Sequence, residues 1–119
     1  MKAKDRYVEG RIYTYNDLTE QEKSDAHLTM DVGVDPRSVH YRFKMLTPDE
    51  VRSRYDFDVV ENSKRSIRVQ RLLEDIPSAG GVLNAAIDRE GNHRMAACAV
   101  LGVNCPWFEV ISPDHLKKE

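Results

Sequence analysis

Residues 89–102, REGNHRMAACAVLG, decide how this chain is read. The stretch MAACAVLG is a run of small apolar residues closed by a glycine. That is the pattern of a helix pressed against a sheet and ended by a left-handed cap. Glu90, Gly91, Asn92, His93 and Arg94 stand where this helix begins. The first amides of a helix are unpaired donors at the positive end of its dipole. Gly91 lets backbone approach an anion closely, Arg94 brings a forked donor, and His93 can donate to the same group. A capped surface turn, with Arg94 paired to Glu90, accounts for the same residues.

Working outward, GVLNAAID (81–88) is expected as a short apolar strand and PWFEVI (106–111) as the last strand. A strand–helix–strand crossover of this length predicts two parallel strands. A ligand would then sit beyond the carboxyl end of the first strand, at Asp88 to Arg94. Upstream, SIRVQRLLEDIPSAG (66–80) predicts an amphipathic helix with Ile67, Leu72, Leu73 and Ile76 inward, stopped by Pro77 and the Gly80-Gly81 pair. Thr47-Pro48-Asp49-Glu50 opens a short helix ending near Tyr55, and residues 56–64 form a connection or a short extended piece. VHYRFKML (39–46) alternates as a half-buried strand. RYVEGRIYTY (6–15) is expected as a strand. NDLTEQEKSDAHLTM (16–30) is expected as a polar, exposed helix capped by Asp17, with Glu20 three residues on.

The chain has 119 residues, enough for one domain with a real core. It is 40% hydrophobic and 32% charged, which excludes a disordered class. Its 18 basic and 20 acidic residues give a net charge of −2, without the basic surplus of a duplex-DNA reader. No stretch approaches the roughly 18 apolar residues of a membrane span. The first residues carry no signal-peptide core, so a cytoplasmic location is expected. Cys98 and Cys105 are the only cysteines. They are read as a small core residue and a loop residue, with a disulfide disfavoured in a reducing compartment. Lacking a histidine pair, they do not make a zinc site.

The order strand, EGNHR, small-residue helix, Leu101-Gly102, Cys105-Pro106, strand resembles the ParB/sulfiredoxin superfamily and its D/E-G-x-H-R motif. The resemblance spans about Phe43 to Ile111. It implies an α/β fold, an α+β mixed sheet in one small domain at 41–112. Residues 1–40 would be a strand-and-helix extension packed on that domain, and 113–119 a charged tail. It also implies a nucleotide or phosphate site at Gly91, Asn92, His93 and Arg94. Two departures narrow the activity. Asn92 stands where sulfiredoxins carry their catalytic cysteine, which argues against sulfinic-acid reduction. The G-E-R-R loop and following helix-turn-helix of partition ParB proteins have no counterpart here, which argues against a DNA clamp.

Further groups are candidates on the same expectation. Lys64, Arg65 and Arg68 could contact phosphates, against a reading in which Ser63 or Ser66 caps a polar helix start. Glu61, Glu90 and His93 could serve as acid–base residues. Asp88, Glu90 and His93 could surround a divalent metal, but no metal ligand is assigned, because Glu90 can equally orient His93 and Arg94. Trp107 is expected in the core.

Three functions follow as expectations. The first is a nucleotide- or phosphate-binding domain, with Mg²⁺ arriving on ATP, ADP or CTP, that hydrolyses the nucleotide or transfers a phosphoryl group. The second is a ParB-like nuclease or nucleic-acid-binding protein, with Lys64, Arg65, Arg68 and Arg71 along one groove and weak, non-specific affinity. The third is a non-enzymatic interaction protein of a mobile element.

Overall fold

A computed structural model describes residues 2–30, 33–54, 66–87 and 92–111. The chain folds as one α+β domain around a four-stranded mixed sheet. The strands are β1 (Ile12–Tyr13), β2 (His40–Leu46), β3 (Ala86–Ile87) and β4 (Cys105–Ile111), in the order β1-β2-β4-β3. β1 and β4 run antiparallel to β2, and β3 runs parallel to β4. The helices are α1 (Ala3–Arg6), α2 (Glu20–Thr29), α3 (Pro48–Arg54), α4 (Ile67–Ser78) and α5 (Asn92–Leu101).

The parallel β3–α5–β4 crossover is the unit expected from residues 81–111, with Ala86 opposite Trp107 and Ile87 opposite Phe108. Alternation along these strands sends neighbouring side chains to opposite faces. Ala86, Leu46, Cys105 and Trp107 join Val51, Val69, Ile76, Met95 and Ala97 of α3, α4 and α5. Ile87, Tyr41, Phe43 and Phe108 join Ala3, Tyr7, Leu18 and Ala26 from the first thirty residues. The sheet is therefore covered on both sides.

Helix ends follow their sequence signals closely. Thr47 and Glu50 cap α3 reciprocally, Thr47 N to Glu50 Oε1 at 3.1 Å and Glu50 N to Thr47 Oγ1 at 3.2 Å. α5 ends at Gly102, whose φ of +73° brings Val103 N to Cys98 O at 3.0 Å and Gly102 N to Ala99 O at 3.2 Å. α4 ends the same way at Gly80, with Gly81 N on Ile76 O at 2.9 Å and Gly80 N on Pro77 O at 3.0 Å.

Several expectations are corrected. Residues 6–15 are not one strand. Arg6 closes α1, Gly10 turns the chain at φ +86°, and only Ile12–Tyr13 pair as β1. α2 is capped by Thr19 with Glu22, not by Asp17 with Glu20. Asp17 instead closes a single 3₁₀ turn, where it accepts from Thr14 N at 2.9 Å. α2 is not an exposed helix either, since Glu22, Asp25 and Ala26 are buried on one face. Ile67 faces solvent at 68% exposure, and Val69 takes the inward place because it falls on the stripe of Ile76. Pro77 lies inside the last turn of α4 and does not stop it, so Gly80 is the terminator. Among the described residues of 81–88, strand pairing is limited to Ala86–Ile87. Cys105 is not a loop residue but the buried first residue of β4.

Cys98 and Cys105 are both free and buried, with their thiols in contact. The neighbouring Cys105 thiol, with Arg94 nearby, draws the Cys98 thiol below its ordinary range despite burial. The neighbouring Cys98 thiol, and burial, push Cys105 well up, and its Sγ donates to Pro106 O at 3.6 Å. α5 packs through its small residues, with Ala97 fully buried. Ala97→Leu is expected to overpack the layer and cost about 1–3 kcal/mol. Thermal denaturation checks this, and an unchanged melting temperature would show that α5 has slack against α4 and the sheet.

Candidate functional site

At the β3 side of the sheet, α2 from one layer approaches α4 and α5 from the other. Between them lies a cleft of about 290 Å³. Gln21 and Asp25 line it from α2, Arg68, Arg71, Leu72 and Asp75 from α4, and His93 and Arg94 from the start of α5. The spacing of α4 explains its share. Positions 68, 71, 72 and 75 recur at three and four residues and so form one face. Ser66 stands at the N-cap position of α4 without a side-chain cap bond.

Arg94 is the most constrained of these cations. Its Nη1 donates to Ala85 O at 3.0 Å and lies 3.7 Å from Asp25 Oδ2. Its side chain is 17% exposed. The partner acid is thus Asp25 on α2. Among the described residues, neither its Nε nor its Nη2 has a hydrogen-bond partner. Arg68 and Arg71 are exposed, and neither is held by a described residue. His93 is exposed at the cleft's rim.

The position of Arg94 follows from a single backbone residue. Ala85 precedes β3, and both of its peptide groups are satisfied by charged side chains. Ala85 N donates to Glu22 Oε2 at 2.7 Å, while its carbonyl accepts from Arg94. Beside it, Thr19 Oγ1 donates to Asn84 Oδ1 at 2.8 Å. The segment entering β3 is therefore clamped between α2 and α5, which fixes the guanidinium against the cleft wall.

A second cleft of about 500 Å³ adjoins the first and shares Leu72, Asp75 and Arg94 with it. Ile76, Val82 and Leu83 make its wall apolar, and Leu83 is exposed. A larger groove of about 600 Å³ gathers Gly80, Gly81, Leu101, Gly102, Val103 and Pro106. It lies at the C-terminal ends of α4 and α5, where helix dipoles disfavour anions. The electropositive cleft is the better site for a negatively charged ligand.

Arg68, His93 and Arg94, expected from sequence to act together, do meet in one cleft. Glu61, Lys64, Arg65, Asp88, Glu90 and Gly91 lie outside the described residues, as does the side chain of Asn92. Gln21, Asp25 and Asp75 were not expected at the site. The available signal was the spacing of Gln21, Glu22, Asp25 and Ala26, which puts polar groups on the one helix face that also holds a small apolar residue. Trp107 is buried as expected, with the Arg54 guanidinium 4.5 Å from its ring centre.

Among the described residues, no helix is long and apolar enough to cross a membrane, and no cluster of three metal-ligating side chains occurs. The carboxylates in the cleft, Asp25 and Asp75, stand among three arginines. That donor set suits an anion and not a protein-held magnesium ion, which needs carboxylates free of competing cations. Comparison of the chain with protein-family models, with curated proteins and with solved structures gives no match.

Proposed function

We propose that this protein binds a small phosphorylated ligand, of nucleotide type, in the cleft between α2, α4 and α5. The observation that carries this reading is the convergence of Arg68, Arg71, His93 and Arg94, from two helices, on one small cleft with an apolar cleft beside it. Among the described residues Arg68 and Arg71 have no competing partner, which favours their use by a ligand. Arg94 presents its remaining donors from a fixed position, which lowers the ordering cost of binding. The start of α5, the positive end of its dipole, lies on the same side, since His93 and Arg94 line the cleft. The phosphate would lie against these groups, and the organic portion along Leu72, Ile76 and Leu83. The sequence resemblance to the ParB/sulfiredoxin family supports the same class of ligand. Any Mg²⁺ would come with the nucleotide's own phosphates.

A thermal-shift panel of ATP, ADP, CTP and inorganic phosphate, with and without magnesium, tests the proposal. A ligand at 100 times its dissociation constant should add about 2.7 kcal/mol of stability. Arg71→Ala should weaken that ligand about tenfold or more, the usual effect of losing a hydrogen bond to a charged group, while leaving the unliganded melting point unchanged. Arg94→Ala should lower both, because it also strips Ala85 O of its donor and Asp25 of its counter-charge. Undiminished binding in Arg71→Ala and Arg68→Ala would show that the ligand sits elsewhere.

A further inference from the structure

We propose that Asp25 makes this cleft selective for an oxyanion that still carries a proton, so that hydrogen phosphate is held and sulfate is refused. The inference rests on the anion-binding reading of the cleft and narrows its ligand to a phosphate that keeps a proton at neutral pH, as hydrogen phosphate does and a magnesium-bound triphosphate does not.

Asp25 is 7% exposed and lines the cleft beside Arg68, Arg71, His93 and Arg94. One of its carboxylate oxygens is engaged, since Oδ1 accepts from Gln21 Nε2 at 3.1 Å. The other, Oδ2, is buried and accepts no hydrogen bond from the described residues. Arg94 Nη1 lies 3.7 Å away, beyond hydrogen-bond reach, and donates to Ala85 O instead. Glu22, three residues earlier on the same helix, shows the contrast. Its two oxygens receive donors from Tyr7, Thr19 and Ala85. The fold therefore completes the carboxylate it buries for structure and leaves the one at the cleft short of a donor.

An ionised carboxylate is an acceptor only. The arginines draw an anion inward, but an oxygen brought against Asp25 is repelled unless it carries a hydrogen. Hydrogen phosphate keeps one proton at neutral pH and can donate it to Oδ2, while its other oxygens face the arginines. Sulfate is of similar shape and charge but has no proton to give. A site whose polar group is left unpaired by the wrong ligand discriminates strongly.

Isothermal titration of the full chain at neutral pH, with inorganic phosphate and with sulfate at matched ionic strength, tests this. Phosphate should bind more tightly by about tenfold or more. Asp25→Asn, which removes the negative charge at nearly constant shape, should bring the two affinities together, mainly by strengthening sulfate. Arsenate and selenate differ in the same way and provide a second comparison in the unmodified protein, should the variant fail to fold. Equal affinities for phosphate and sulfate in the unmodified protein would overturn the role of Asp25 and leave the cleft an anion site. So would an unchanged ratio in Asp25→Asn. Failure of both anions to bind would overturn the anion site itself.

Discussion

Glu22→Ala is expected to destabilise the protein by about 3–5 kcal/mol, because it leaves several buried donors without their acceptor. Glu22 is completely buried. Its Oε1 accepts from Tyr7 Oη at 2.5 Å and Thr19 N at 2.8 Å, and its Oε2 accepts from Ala85 N at 2.7 Å. Burial, and the Glu22 carboxylate beside it, hold the Tyr7 phenol well above its ordinary range, so Tyr7 stays a neutral donor. Alanine would leave three donors facing each other in a dry space, and each orphan costs about 1–3 kcal/mol unless water enters. Domains of this size have about 5–15 kcal/mol in total, so the variant would stand near its folding limit. Glu22→Gln keeps the shape but turns an amide donor toward Ala85 N or Tyr7, and should cost an intermediate amount. Urea denaturation of the three proteins checks the order. A loss below about 1 kcal/mol for alanine would mean that solvent reaches this site and replaces the carboxylate.

Phe108→Ala carries the second large effect, about 3–5 kcal/mol, the usual range for deleting a buried phenyl ring. Phe108 is completely buried at the centre of the sheet, on the face covered by the first thirty residues. Its ring centre lies 4.9 Å from Tyr7 and 5.4 Å from Phe43, with Tyr41 at 6.1 Å and Tyr13 at 6.2 Å, all in edge-on arrangements. Such pairs add to the burial of area. The cavity left by alanine would touch strands β2 and β4 and the N-terminal segment at once, so no single element can move to fill it. Phe108→Leu retains most of the volume and should cost under about 1.5 kcal/mol. Calorimetric melting of both variants is the measurement. Equal losses for leucine and alanine would mean that ring geometry, and not filled volume, dominates this cluster.

The sequence by itself determined several elements from residue 39 onward in some detail. The small-residue run ending at Gly102 set α5 at 92–101. The Thr47-Pro48 start set α3, and the alternation of residues 39–46 set β2. These are local devices, since a cap, a proline at a helix start or a glycine at positive φ acts within a few residues. The meeting of Arg68 with His93 and Arg94 was legible for the same reason, because each lies on a helix whose face and end were readable.

Tertiary structure decided the rest. Residues 16–30 read as a polar, exposed helix because hydropathy has no term for a polar group that finds partners. Yet Glu22 and Asp25 are buried, one completed by donors from residues 7, 19 and 85, the other set against Arg94. The contact between Cys98 and Cys105 arises because the turn at Gly102 folds β4 back along α5. Ala85 carries no chemical signal at all, and both of its peptide groups are claimed by charged side chains, Glu22 from a helix distant in sequence and Arg94 from the helix that follows β3. Whether a charged side chain is buried depends on donors supplied from elsewhere in the chain. Only the folded chain brings those donors together, and with them the acid that faces Arg94 in the cleft.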